Sequence, residues 1–167
     1  YKDAYENGYI REKDVDETFR PLAEQCRSEL DVVQLLLALR DPSEYTYRHS
    51  VQVGILSQYI ASWLGWSGED TYQAGKAGFL HDIGKCRIPG EILNKPDKLT
   101  EAEFEIIKKH PQYGHEIIES SFSDNLSALA ALQHHERVDG SGYPYGLKGD
   151  QIHIIGKIVA VADVYSA

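Results

Sequence analysis

Apolar residues along the chain recur mainly at helical spacing, and the breaks between the runs carry helix-start and helix-stop chemistry. From Asp14 to Arg40, Val15, Phe19, Leu22, Leu30, Val33, Leu36, Leu37 and Leu39 fall largely three or four apart, and Pro21 is placed to begin a second helix. Residues 1–13 are polar, interrupted by Gly8, and read as a frayed lead-in or linker. Asp41-Pro42-Ser43-Glu44 has the form of a helix start, with Asp41 as N-cap, Pro42 in the first turn and Glu44 closing a capping box. The helix that follows runs to about Leu64 and stops at Gly65, with Val51, Ile55, Tyr59 and Trp63 repeating every four residues.

Ser67 with Asp70 repeats the capping signal and opens a helix that ends at His81-Asp82, where Gly84 is expected to take the left-handed conformation that terminates helices. Ala74, Gly75, Ala77 and Gly78 lower the helix propensity of this segment, which makes sense if another helix packs closely against it. Residues 86–98, with Pro89 and Pro96, read as loop or broken helix. Thr100 and Glu103 form a third capping box, and the helix they open runs through Phe104 and Ile107 to His110. Pro111 disfavours helical geometry at His110, so that imidazole sits at a break between helices. Further helices carry Tyr113, Ile117 and Ile118, then Leu126, Leu129 and Leu132 between about Asp124 and His135. The stretch from Arg137 to Pro144 contains Gly140, Gly142 and Pro144 and reads as a loop. Ile154, Ile155, Ile158, Val161, Ala162 and Tyr165 would suit a helix or a strand; helix is expected because no partner strand is in sight. The pattern predicts an all-α chain without internal repeats.

Composition narrows the class. A chain of 167 residues is expected to form one domain, burying roughly 70% of its unfolded-state surface without disulfides or structural zinc. No apolar run approaches the roughly 20 residues of a membrane span, and no signal-peptide pattern opens the chain. Cys26 and Cys86 form no CxxC pair and read as free thiols of a reducing compartment, so the expected location is the cytoplasm. A net charge of −9 and a pI near 5.2 argue against a long nucleic acid as partner, while leaving small anions open. The chain begins at Tyr1 and contains no Met, so it reads as a piece of a longer protein.

The candidate chemistry lies in His49, His81, Asp82, His110, His134, His135 and Asp163, each near a helix end or inside an otherwise apolar helix. Five imidazoles and two carboxylates are too many for one tetrahedral zinc. Asp163 is the most telling, because a carboxylate within Ile-Val-Ala-Val-Ala costs several kcal/mol to bury unless a cation pairs with it. Two cations sharing Asp82 as a bridge would accommodate the set; mixed imidazole and carboxylate ligands suit iron or manganese, with zinc and similar ions also admissible. Lys85 is odd beside a metal but sensible where an anionic substrate docks. His115 and His153 fit no such position and read as surface or structural residues.

These residues resemble the HD-GYP group of HD-domain metal phosphohydrolases. The resemblance rests on His49, His81-Asp82-Ile83-Gly84-Lys85, His110-Pro111, His134-His135-Glu136-Arg137, Asp139-Gly140-Ser141-Gly142-Tyr143-Pro144 and Asp163, and it covers Tyr45 to Ala167, about three quarters of the chain. It implies a bundle of about seven helices around a buried centre of two, sometimes three, metal ions, with hydrolysis of cyclic di-GMP to pGpG or GMP. By the same resemblance the seven residues are the ligands, Lys85 contacts the substrate phosphate, and the loop at Gly142-Tyr143-Pro144, with Arg137, borders the substrate. On this basis residues 1–40 are linker and scaffold and 41–167 a catalytic domain incomplete at its C-terminus, with sensor or receiver domains elsewhere in the full protein. Asp82 would bridge the ions and help to orient a nucleophilic water of lowered pKa, while Lys85 would stabilise charge on the phosphate oxygens. Three positions depart from the family: Tyr45 where some members carry a third-metal Glu, Ser166 where an Asp usually follows Val-Tyr, and the end at Ala167 before a basic and aromatic segment. The alternatives are hydrolysis of another nucleotide and a non-catalytic sensor or docking module.

Overall fold

Caps and apolar spacing produce helices throughout the computed structural model, which describes residues 2–26, 33–34 and 45–167. The expected cap at Asp41-Pro42-Ser43-Glu44 and the apolar positions Leu30, Leu36, Leu37 and Leu39 lie outside the described residues. In chain order the helices are α1 (Lys2–Asn7), α2 (Glu12–Gln25), α3 (Tyr45–Trp63), α4 (Glu69–Leu80), α5 (Gly90–Leu93), α6 (Glu101–Ile107), α7 (His110–Ser121), α8 (Asn125–Gln133) and α9 (Ile154–Ser166), with 3-10 turns at Ile83–Arg87 and Gly149–Gln151. Among the described residues the only β pairing is an isolated bridge between Asp139 and Lys148. No described helix is long and apolar enough to cross a membrane.

Helix α4 is central. One side sends Tyr72, Phe79 and Leu80 into a cluster with Phe19, Val51, Ile55, Ile83, Ile117 and Ile118. Its other side places Ala74 and Ala77 against Val53, Ala130, Ile155, Ile158 and Val159. The small residues permit close contact with α3, as expected: a Cβ on Gly78 would lie 2.8 Å from the Val53 carbonyl oxygen. Phe19 of α2 is fully buried, its ring stacked 5.1 Å from that of Phe79. Lys76 is equally buried and sets its ammonium 2.7 Å from Glu12, 3.5 Å from Asp16 and 3.8 Å from Asp124, which satisfies a cation that would otherwise be costly in the core.

Several local expectations change. Residues 2–7 form a helix rather than a frayed lead-in, and Ala4 and Ile10 are buried in the same cluster as Phe19. Pro21 lies inside α2 instead of starting a new helix; Phe19 and Ala23, buried on either side of it, hold that turn in place. Ser67 does not cap α4: Gly68 is the N-cap, with φ of 56° and no side-chain hydrogen bond. Gly84 is not left-handed. It sits in the 3-10 turn, where a Cβ would collide with the His110 carbonyl oxygen and the Gly114 amide nitrogen, so its lack of a side chain lets the turn lie against α7. The Thr100 and Glu103 capping box forms as expected, with the Glu103 amide 3.2 Å from Thr100 Oγ1 and the Thr100 amide 2.7 Å from Glu103.

Candidate metal centre

Helix ends build most of the site. His81 caps the C-terminus of α4 and Asp82 follows it; His110 opens α7 just past the last turn of α6; His134 caps the C-terminus of α8, with His135 next. The last carbonyls of an α-helix have no amide partner within it, and these imidazoles use them. His81 Nδ1 lies 2.7 Å from the Gly78 oxygen, His110 Nδ1 2.7 Å from that of Ile107, and His134 Nδ1 2.9 Å from that of Ala131. A carbonyl only accepts, so each Nδ1 carries a proton and each Nε2 faces inward. This second contact of the ring is the usual way a ligating histidine is held.

The seven sequence-predicted residues come together in two adjoining groups. Asp82, His110, His134 and His135 form one, and His49, His81 and Asp163 the other; within each, one potential ligand atom per residue lies within 4.8 Å of all the others. Asp82 belongs to both sides. Its Oδ1 is 3.3 Å from His110 Nε2 and 3.7 Å from His134 Nε2, while its Oδ2 is 3.3 Å from His81 Nε2 and 3.9 Å from His49 Nε2. Asp163 Oδ1 lies 3.0 Å from His49 Nε2 and 3.7 Å from His81 Nε2.

The donor set fits cations. His81 Nε2 and Asp82 Oδ1 are buried with no hydrogen-bond partner, although buried polar atoms are normally paired. His110 Nε2 and His134 Nε2 face each other at 3.3 Å, lone pair to lone pair, an arrangement that only a positive species relieves. Protonation behaviour points the same way. Burial lowers the His81 pKa, but Asp82 and Asp163 outweigh it and raise the imidazole to about 9. Burial opposes ionisation of Asp82, yet His81, His110 and His134 hold it well below the usual carboxylate range. Asp163 is likewise held low against its burial, by His49 and His81. Burial takes His134 down to about 4 and, with neighbouring imidazoles, His135 to about 2, so both are neutral rings with free lone pairs.

Lys85, in the 3-10 turn, reaches Asp82 Oδ2 at 2.5 Å with its side chain partly open to solvent. The loop after α8 lies over His135: the Tyr143 ring stacks on that imidazole with centroids 4.7 Å apart, and Phe104 approaches Tyr143 edge-on at 6.4 Å. Gly142 is needed for this approach, because a Cβ there would strike the His135 carbonyl and the Arg137 amide. Arg137 turns toward the main chain, donating to the carbonyls of His134 and Glu136, and borders a separate cavity of about 680 Å3 with Val138, Val161 and Val164. Of the expected substrate residues, Tyr143 and Lys85 therefore adjoin the ligands, Gly142 and Pro144 shape the loop, and Arg137 binds the main chain beside it. Two residues were given no role from the sequence. Buried Glu136 accepts the Tyr145 and Leu147 amides at 2.7 and 2.9 Å and so pins the loop, and Ser166 contacts His49. The position of Glu136 inside the His134-His135-Glu136-Arg137 stretch was the available signal; Ser166 had none beyond its departure from Asp.

A helical bundle that converges imidazoles and carboxylates from its helix ends defines an HD domain. The HD domain family model matches residues 31–167, and the chain belongs to the HD-domain family. Within that family it carries the HD-GYP motif set, from His81-Asp82 to Gly142-Tyr143-Pro144. It is 45% identical over 135 residues to a cyclic di-GMP phosphodiesterase of Pseudomonas aeruginosa, covering 79% of this chain and 32% of that protein. It is 41% identical over 125 residues to a 3'3'-cGAMP-specific phosphodiesterase of Vibrio cholerae, covering 75% of this chain and 29% of that one. The chain thus spans about a third of the length of these relatives. Among solved structures, an HDG"Y"P protein from Bdellovibrio bacteriovorus has the same fold, with a TM-score of 0.74 at 23% identity over 97% of this chain and 54% of that one.

Proposed function

We propose that this domain is a metal-dependent phosphodiesterase that hydrolyses cyclic di-GMP to pGpG or GMP. The observation that carries the reading is the pair of adjoining ligand groups joined by the two oxygens of Asp82. His110, His134, His135 and Asp82 Oδ1 would hold one divalent ion, and His49, His81, Asp163 and Asp82 Oδ2 a second, with iron or manganese the best match to the ligand types. Bound there, such ions would supply Lewis acidity toward phosphate oxygens and a water of lowered pKa. The protein's own part is positional and electrostatic. The carbonyls of Gly78, Ile107 and Ala131 aim the rings, and Lys85 offers an ammonium to phosphate at the open edge of Asp82. Tyr143 covers His135 and keeps its phenol neutral, since burial and the nearby Asp82 charge push its pKa up. Residues 41–167 act as the catalytic unit, with the N-terminal helices bracing α4, and sensor or receiver domains of a longer protein would act on it.

The test is metal content of protein purified without oxygen or chelator, measured together with turnover of cyclic di-GMP and 3'3'-cGAMP. Two ions per chain and release of pGpG or GMP are expected. Metal-replete protein that cleaves 3'3'-cGAMP in preference would move the substrate to the mixed dinucleotide, and failure to cleave either would overturn the proposal.

A further inference from the structure

His49 differs from the other inward-facing imidazoles in lying inside a helix. In the body of α3 each carbonyl is already engaged by the amide four residues on, so the main-chain contact that orients His81, His110 and His134 is closed to it. Its Nδ1 instead lies 3.3 Å from Ser166 Oγ, and the same hydroxyl donates to Gln52 Oε1 at 3.0 Å. We propose that Ser166 is a positioning residue that makes His49 a metal ligand, by holding the proton on Nδ1 through the sequence His49 Nδ1–H, Ser166 Oγ, Gln52 Oε1. The inference rests on the metal-centre reading above.

A serine hydroxyl has one proton. Because that proton goes to Gln52, the oxygen presents a lone pair to His49, and only the Nδ1–H tautomer satisfies both contacts. Nε2 is then left with its lone pair on the side where Asp163 Oδ1 stands 3.0 Å away and Asp82 Oδ2 3.9 Å away. The two grips come from one turn of α9, since Asp163 and Ser166 are three residues apart and share a face. Gln52 stands in the same relation to His49 on α3. The docking of α9 on α3 therefore sets the ring from both sides, doing for a mid-helix histidine what free carbonyls do at helix ends.

The experiment loads the whole chain with zinc, a diamagnetic probe, and follows 15N-labelled histidine by NMR alongside competitive zinc titration. In the wild type, His49 is expected to show a protonated Nδ1 and a metal-bound Nε2. Ser166→Ala should weaken one of the two zinc sites by about 10–100-fold, the usual effect of removing such an orienting contact, and leave the other unchanged. It should also lose the protected Nδ1 proton signal while helical content by circular dichroism stays the same. Ser166→Thr should restore both readouts, and Gln52→Leu, which frees the hydroxyl to donate toward Nδ1, should weaken the same site. Wild-type zinc affinity and an unchanged Nδ1 signal in Ser166→Ala and Gln52→Leu would overturn the inference. Zinc binding is read without turnover, so absence of cyclic di-GMP hydrolysis would count against the proposed activity alone, whereas a wild type that binds no zinc would overturn both.

Discussion

In the group formed by Asp82, His110, His134 and His135, every residue sits at a helix end or just beyond one, and the main chain orients two of the rings. The group of His49, His81 and Asp163 takes only His81 from such a place; His49 and Asp163 come from α3 and α9 and are set by side chains on the facing helix. One half of the centre therefore has rings oriented by main-chain carbonyls at the ends of α6 and α8, while the other depends on the packing of α9 against α3. Preorganisation by backbone is rigid because the carbonyls belong to the helices themselves. Orientation by side chains depends on a tertiary interface and is the half that substitution can loosen without disturbing the other.

The largest effect is expected where the halves meet. Asp82→Ala removes an oxygen from each group, so it should release both ions and lower turnover by about 10^3-fold or more. The apolar clusters around α4 do not involve Asp82, so circular dichroism should report a retained helical fold. Substantial activity with metal present would break the picture of a shared bridge. Lys85→Ala leaves the ligands intact and should keep both ions while slowing hydrolysis by about 2–4 kcal/mol of barrier. Single-turnover rates on metal-replete protein check this, and an unchanged rate would reduce Lys85 to a counter-ion for Asp82.

Gly84→Ala tests the packing of the 3-10 turn against α7. A Cβ there would meet the His110 carbonyl and the Gly114 amide, so the 3-10 turn and α7 must part. The expected cost is about 1–3 kcal/mol of stability, read by thermal or denaturant melting. It should be accompanied by weaker metal binding, because His110 opens α7 and Asp82 leads into the turn. The smallest effect concerns protons. With no ion bound, His81 has a pKa of about 9, because Asp82 and Asp163 overcome the lowering by burial. At pH 7 the ring is therefore protonated, and a cation must displace that proton to use Nε2. Metal binding should release about one proton from this group and strengthen as pH rises toward 9, measurable by calorimetry in buffers of different ionisation enthalpy. Absence of proton release at pH 7 would place His81 outside the ligand set.

Much of this centre was legible in the sequence because its residues violate their surroundings. A carboxylate in the apolar run before Asp163 and a His-Asp pair after the small-residue stretch of α4 are anomalies that a single chain displays. The all-helical class was equally visible in the spacing and in caps such as Thr100 with Glu103, which is a local device. What was hidden depends on partners distant in sequence. Ser166 finds His49 across 117 residues, and Gly84 is small because α7 lies against it, not because its own backbone demands it. Burial of Ala4 and Ile10 likewise comes from docking on the main core, which polar neighbours in the sequence conceal. Arg137, expected at the substrate from its motif, donates to the main-chain carbonyls of His134 and Glu136, contacts that the motif alone does not display.

The proposed centre holds two ions, one in each group, joined by Asp82. Tyr45 bears on the number, because it lies one helical turn before His49 and stacks on that ring, with centroids 6.0 Å apart, where a carboxylate could have reached a further ion. A neutral phenol is a poor ligand for hard cations. The decisive measurement is anomalous scattering from crystals of the metal-loaded protein, recorded at the absorption edge of the bound metal. Two strong peaks per chain are expected, one on either side of Asp82, with a third beside position 45 only in Tyr45→Glu. A single peak, or a third one beside Tyr45 in the wild type, would contradict the two-ion centre.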